Sequence, residues 1–153
     1  MTTLTGMEGL REAEGRELGV TDWHEITQAE VDAFADVTGD RQWIHVDPER
    51  AAQSPLGGTI AHGLLTLALA PAMTSSLLSF EGFAFALNYG YNRVRFPAAV
   101  PVGARVRMHG TVVQVDDVVG GEQLTIDLRV EIEGEERPAC VAQAIWRHYD
   151  LEP

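Results

Sequence analysis

The residues best suited to chemistry lie in one run, Thr38-Gly39-Asp40-Arg41-Gln42-Trp43-Ile44-His45-Val46-Asp47-Pro48. Asp40 and His45 stand five positions apart, in a loop between two helical stretches, a span flexible enough to bring both side chains to a single water. A carboxylate and an imidazole have proton affinities that straddle neutrality after modest shifts, so they can divide acid and base work. Addition of water across a polarised double bond needs that division: a base to deprotonate water and an acid to protonate the carbon that receives the electrons. The spacing also suits plain turn chemistry after a helix, with both side chains simply solvated, and residue types alone leave both readings open. As metal ligands, Asp40, His45 and Asp47 are a thin donor set, with one histidine on one loop, and no metal is expected.

Elements that can position this loop are legible on both sides of it. Residues 1–19 are glycine-punctuated and weakly patterned, an arm leading into a strand near Val20 to Ile26. Thr27 with Glu30 three residues on has capping-box spacing. Val31, Phe34 and Ala35 then share a helical face, and Gly39 stands where a left-handed residue would end the helix. Pro48 opens a short helical turn through Ala52, and Ser54 to Gly58 is turn chemistry. An apolar helix begins at His62 or Gly63, with a break or kink due at Pro71.

After Glu81 the period becomes that of strands. Phe83 to Val94, Ala104 to Asp116, Leu124 to Ile132 and Cys140 to Tyr149 are separated by turns at Pro97 to Gly103, Gly120-Gly121 and Gly134 to Arg137. The expected fold class is α+β, an antiparallel curved sheet wrapped around one apolar helix, in a single domain over residues 1–153.

Composition removes several function classes. The eleven strong bases are all arginine, which rules out a Schiff-base lysine, a P-loop lysine or a lysine general base. A formal charge of −12 opposes nucleic acid and anionic membrane surfaces as partners. Glu8, Glu12, Glu14 and Glu17 argue against a signal peptide, and the lone Cys140 suits a reducing, cytoplasmic compartment. Thr59 to Leu78 is apolar enough to raise a membrane span, but His62, Thr66, Pro71 and Ser75 fit a buried helix better. Cys140, in phase with Ala142, Ala144 and Trp146, reads as packing. The glycine pairs match no nucleotide fingerprint, and Ser75 and Ser76 lack the context of a hydrolase nucleophile. Arg93, Arg95, Arg105 and Arg107 either meet the phosphates of a ligand such as coenzyme A or are solvated strand charges.

The run Ala35-x-x-Thr38-Gly39-Asp40-x-x-x-Ile44-His45-x-Asp47-Pro48-x-x-Ala51 resembles the signature of the MaoC-like, R-specific enoyl-CoA hydratases. Ile60-Ala61-His62-Gly63-Leu64-Leu65 resembles their second motif, and Val94-Arg95-Phe96-Pro97 with Pro101-Val102-Gly103 their third. The three stand in order, within residues 20–148. The resemblance implies a hotdog fold and addition or removal of water at a trans-2-enoyl thioester, giving the R-3-hydroxyacyl product. It implies Asp40 and His45 as the catalytic pair and the backbone N–H of Gly63 as the donor to the thioester oxygen. It also implies no cofactor, an acyl-CoA or carrier-protein thioester as substrate, and a homodimer. A helix N-terminus suits the oxyanion role physically, since its first N–H groups lack intrahelical partners. His62, at that same terminus, reads as a neutral structural imidazole beside the substrate pocket.

The sequence departs from the family where Gln42-Trp43 stands for the usual Asn-Pro. Gln42 can still offer an amide, whereas Trp43 loses the fixed φ of proline and adds a large ring. Both are expected to shape the pocket. Two other readings are a noncatalytic acyl-binding or partner-stabilising hotdog subunit, and a hotdog thioesterase. The first has no use for Asp40 and His45; the second needs a carboxylate on the central helix, and none occurs between Ile60 and Phe80.

Overall fold

The computed structural model describes residues 1–150. The chain runs β1 (Thr2–Thr5), α1 (Gly6–Arg11), β2 (Glu17–Val20), β3 (His24–Glu25), α2 (Gln28–Thr38), α3 (Trp43–Val46) and α4 (Pro48–Ala52). There follow α5 (Gly63–Ala68), α6 (Ala70–Leu77), β4 (Leu78–Glu81), β5 (Phe85–Arg95), β6 (Arg105–Val118), β7 (Gly121–Ile132) and β8 (Cys140–Tyr149). The main sheet is antiparallel in the order β2-β6-β7-β8-β5, with β3 also on β6. β5 is therefore an edge.

Alternation fixes which face of the sheet is covered. In β8, Cys140, Ala142, Ala144, Trp146 and His148 are buried, and in β7 Leu124, Ile126, Leu128, Val130 and Ile132 join them. With a side-chain period of two, one face becomes the core and the other stays open. The apolar helix lies against this core face through Leu65, Ala70, Met73 and Leu77. The break expected at Pro71 is present: α5 and α6 are separated by Leu69 alone, two residues ahead of the one that has no N–H to continue the ladder. Among the described residues, no helix is long and apolar enough to cross a membrane.

The N-terminal residues are more ordered than their weak pattern suggests. Thr2–Thr5 pairs in parallel with Leu78–Glu81, and Leu4, Leu10 and Ala13 are buried. The strand expected near Val20 to Ile26 is interrupted. Thr21 turns inward, its hydroxyl accepting from Met108 N–H at 2.9 Å, and β2 and β3 remain as two short pieces on β6.

Candidate active site

The loop is carried by a helix whose two ends are chemically fixed. Thr27 and Glu30 form the reciprocal capping box, and Gly39, at φ +80°, supplies the left-handed residue that stops α2. Burial opposes ionisation of Glu30, but the N–H and O–H of Thr27 and the ring of His24 outweigh it and hold the carboxyl below the usual range. Asp40 follows Gly39 directly, so the point at which α2 stops sets where Asp40 begins.

His45 sits on the short helix α3 within what the sequence presents as plain loop. Its Nδ1 lies 2.6 Å from the carbonyl oxygen of Ile60. A carbonyl can only accept, so Nδ1 carries the proton and donates, which leaves Nε2 as the free acceptor of the neutral ring. Ile60 N–H returns a bond to Ile44 O at 3.0 Å, tying the two segments together. His62 stacks on His45 with ring centroids 3.7 Å apart and donates from Nε2 to the backbone carbonyl of Asp40 at 2.9 Å. One imidazole thus fixes the backbone of the acid and the face of the other imidazole. Asp40 is exposed, whereas His45 and His62 are only 6% and 3% exposed. One polar side-chain atom from each of the three lies within 4.8 Å of the others. Asp47 does not join them; its carboxylate caps α4 by accepting from Arg50 N–H at 3.0 Å.

Gly63 begins α5 immediately after His62. A Cβ here would lie 2.7 Å from Cγ of Phe96. The close approach that glycine permits is thus taken by the Phe96 ring, a contact unseen in the sequence, where Phe96 is only one letter of a motif. Gln42 is exposed and precedes α3, and Trp43 is half-buried with the Arg50 guanidinium 4.5 Å from its ring centroid. The sequence also gives no sign of Gln28. From the first turn of α2 its amide donates to His45 O at 2.7 Å and accepts from the Thr59 hydroxyl at 2.6 Å. Cys140 is buried, and burial pushes its thiol up to about 11, as suits a packing residue.

An exposed carboxylate and an oriented imidazole acceptor brought together in one small volume can hold a water and exchange protons with what it attacks. Comparison with known proteins identifies the fold and the family. The chain is 52% identical over 149 residues to 3-hydroxyacyl-thioester dehydratase Z of Mycobacterium tuberculosis, covering 97% of this chain and 99% of that one. Among solved structures, the monoamine oxidase regulatory protein from Archaeoglobus superposes with a TM-score of 0.80 at 22% identity, over 99% of this chain and 98% of that one. The (R)-hydratase of A. caviae gives a TM-score of 0.72 at 24% identity, over 87% and 94%. These likenesses establish the hotdog fold. The MaoC-like domain model matches residues 10–133, so a single family accounts for the loop, the central helix and most of the sheet: the chain belongs to the MaoC-like domain family.

Proposed function

We propose that this protein hydrates trans-2-enoyl thioesters to R-3-hydroxyacyl thioesters, or runs the reverse dehydration, with Asp40 and His45 as its catalytic pair. The observation that carries the reading is the convergence of Asp40, His45 and His62 within 4.8 Å in a chain half identical to a 3-hydroxyacyl-thioester dehydratase. The Asp40 carboxylate and His45 Nε2 are both acceptors, and one water has two hydrogens to give them. As the water oxygen adds to C3, one O–H proton passes to the pair and a proton passes from the pair to C2. The π electrons move toward C2 through an enolate, and the pair ends in its starting protonation state. In this reading the Gly63 N–H receives the enolate oxygen, His62 holds Asp40 in place, and Gln42 and Trp43 border the acyl chain. No cofactor enters the reaction.

Coenzyme A is the carrier this reading favours, because a net charge of −12 disfavours docking to an acidic carrier protein. The chain acts as one domain, in the cytoplasm, and as a homodimer. The edge strand β5 supports pairing, with Phe85, Leu87 and Tyr89 exposed along it. Crotonyl-CoA mixed with purified protein tests the activity. Saturable loss of the enoyl absorbance is expected, and its absence at high enzyme concentration would favour a noncatalytic subunit.

A further inference from the structure

Some arginines of this acidic chain are spent on carboxylates, and others stay available to an anion. Arg11 meets Asp117 and Glu122, Arg41 meets Asp36, Arg105 meets Glu133, and Arg107 meets Glu131. Among the described residues Arg93 and Arg95 form no ion pair, and the one hydrogen bond from the Arg95 guanidinium goes to the carbonyl of Val94. Arg129 reaches only Glu131, at 3.7 Å, which Arg107 already occupies.

Strand register brings these three together on the open face of the sheet. Opposite Gln143 and Val141 of β8 stand Arg93 and Arg95 of β5 on one side, and Asp127 and Arg129 of β7 on the other. The register of β5 shifts between Tyr91 and Arg93, so Asn92 is a bulge. Were Asn92 paired as an ordinary strand residue, alternation from Tyr91 would turn Arg93 and Arg95 into the core and Val94 out of it. The short Val141 between the long Arg95 and Arg129 leaves a depression two strand spacings wide, roughly 10 Å. It belongs to a cleft of about 640 Å³, within the ~300–1,000 Å³ range of small-molecule sites.

We infer that this cleft binds a nucleotide-like organic phosphate, its phosphates bridging Arg95 and Arg129 above Val141 with Arg93 at the rim. Guanidinium forks match phosphate oxygens in pairs, which is why arginine suits this task. The other end of the cleft has the opposite polarity. Asp127 accepts from the amide of Gln143 at 2.8 Å, and Gln143 in turn accepts from Asn92 at 2.7 Å. A carboxylate held there repels phosphate and accepts from a ribose hydroxyl or a base amine, so the ligand is oriented as well as held. The shared chemistry has two sources, a free nucleotide or the nucleotide end of an acyl-CoA. Only the second rests on the hydratase reading.

Calorimetric titration of the full chain with ADP, 3′,5′-ADP and pyrophosphate tests the site. Saturable binding of at least one nucleotide, at one per chain and weakening with salt, is expected. Arg95→Ser and Arg129→Ser should each weaken it tenfold or more with the melting temperature unchanged, and Arg105→Ser should leave it as it is. The same nucleotides are then added to crotonyl-CoA hydration. A raised KM at constant kcat assigns the site to the substrate's nucleotide end, and an unchanged KM assigns it to a separate nucleotide. The binding result stands even if no hydration occurs. No saturable heat with any probe, or wild-type affinity in both serine variants, overturns the inference.

Discussion

Gln28 donates to the main-chain carbonyl of His45 across 2.7 Å while accepting from Thr59, so one amide joins the start of α2 to both segments that frame the imidazole. Its role is to position. Gln28→Leu should lower kcat about tenfold with KM nearly constant, and cost roughly 1–2 kcal/mol for the hydrogen bonds lost. Gln28→Glu keeps the acceptor for Thr59 but loses the donor to His45. It should recover stability more than turnover, which separates positioning from plain structural support. Steady-state kinetics and urea denaturation on the three proteins check this.

Asp40→Asn and His45→Gln should each reduce hydration by about 10²–10⁴-fold, the usual cost of losing a placed acid or base. Neither should change the far-UV circular dichroism. Near-normal turnover in either variant would remove that residue from the mechanism.

Gly63→Ala drives a methyl into the Phe96 ring and should destabilise by about 1–3 kcal/mol, in the range for overpacking. Combining it with Phe96→Leu should cost less than the sum of the two single changes, because the obstructing ring is gone. Both variants keep the backbone N–H at position 63, but relieving the clash returns it toward its native place, so the kcat of the double variant should exceed that of Gly63→Ala alone. A double-mutant cycle in denaturant, read beside kcat, gives both answers.

Trp43 shares a helical turn with His45 and stacks one face toward Arg50. Trp43→Ala should change the ratio of kcat/KM for long and short enoyl-CoAs while moving the melting temperature little. A uniform loss of activity with about 3–5 kcal/mol of stability would make the ring a buried anchor instead.

His148 is fully buried among Phe80 and Phe83, and burial lowers its pKa from 6.5 to about 4. The unfolded chain then binds a proton that the folded chain refuses between those values. Stability is whole above the unfolded pKa and falls as pH drops from 6.5 toward 4, by an amount on the order of 3 kcal/mol. Glu122, the cross-strand partner of His148, has its pKa raised by burial, against a smaller lowering by Arg11, and pulls in the opposite direction. Urea midpoints at pH 7 and pH 5 should therefore differ more in the parent than in His148→Leu.

What the sequence made legible was local. Thr27 with Glu30, Gly39 and the Gly120-Gly121 turn act on neighbours within a few residues, and Cys140 to Tyr149 carries its own alternation. Asp40 and His45 were singled out by type and spacing, and they do converge. Leu4 gave no signal because its strand partner is Phe80, and Gln28 gave none because Thr59 lies 31 positions on. The His45–His62 stack was hidden for the same reason: two loops far apart in sequence must first be brought together by the bond between Ile60 and Ile44. Long-range pairing leaves no period to read.

The bulge at Asn92 makes strand length itself a carrier of meaning. Were Asn92 taken into regular pairing, no charge and no hydrophobic side chain would differ, yet every residue beyond it as far as Arg95 would exchange inside for outside, much as a frameshift rewrites a message without changing its letters. Variation at this edge is therefore quantised: substitutions adjust the surface, whereas a single insertion or deletion turns it over unless a bulge absorbs it.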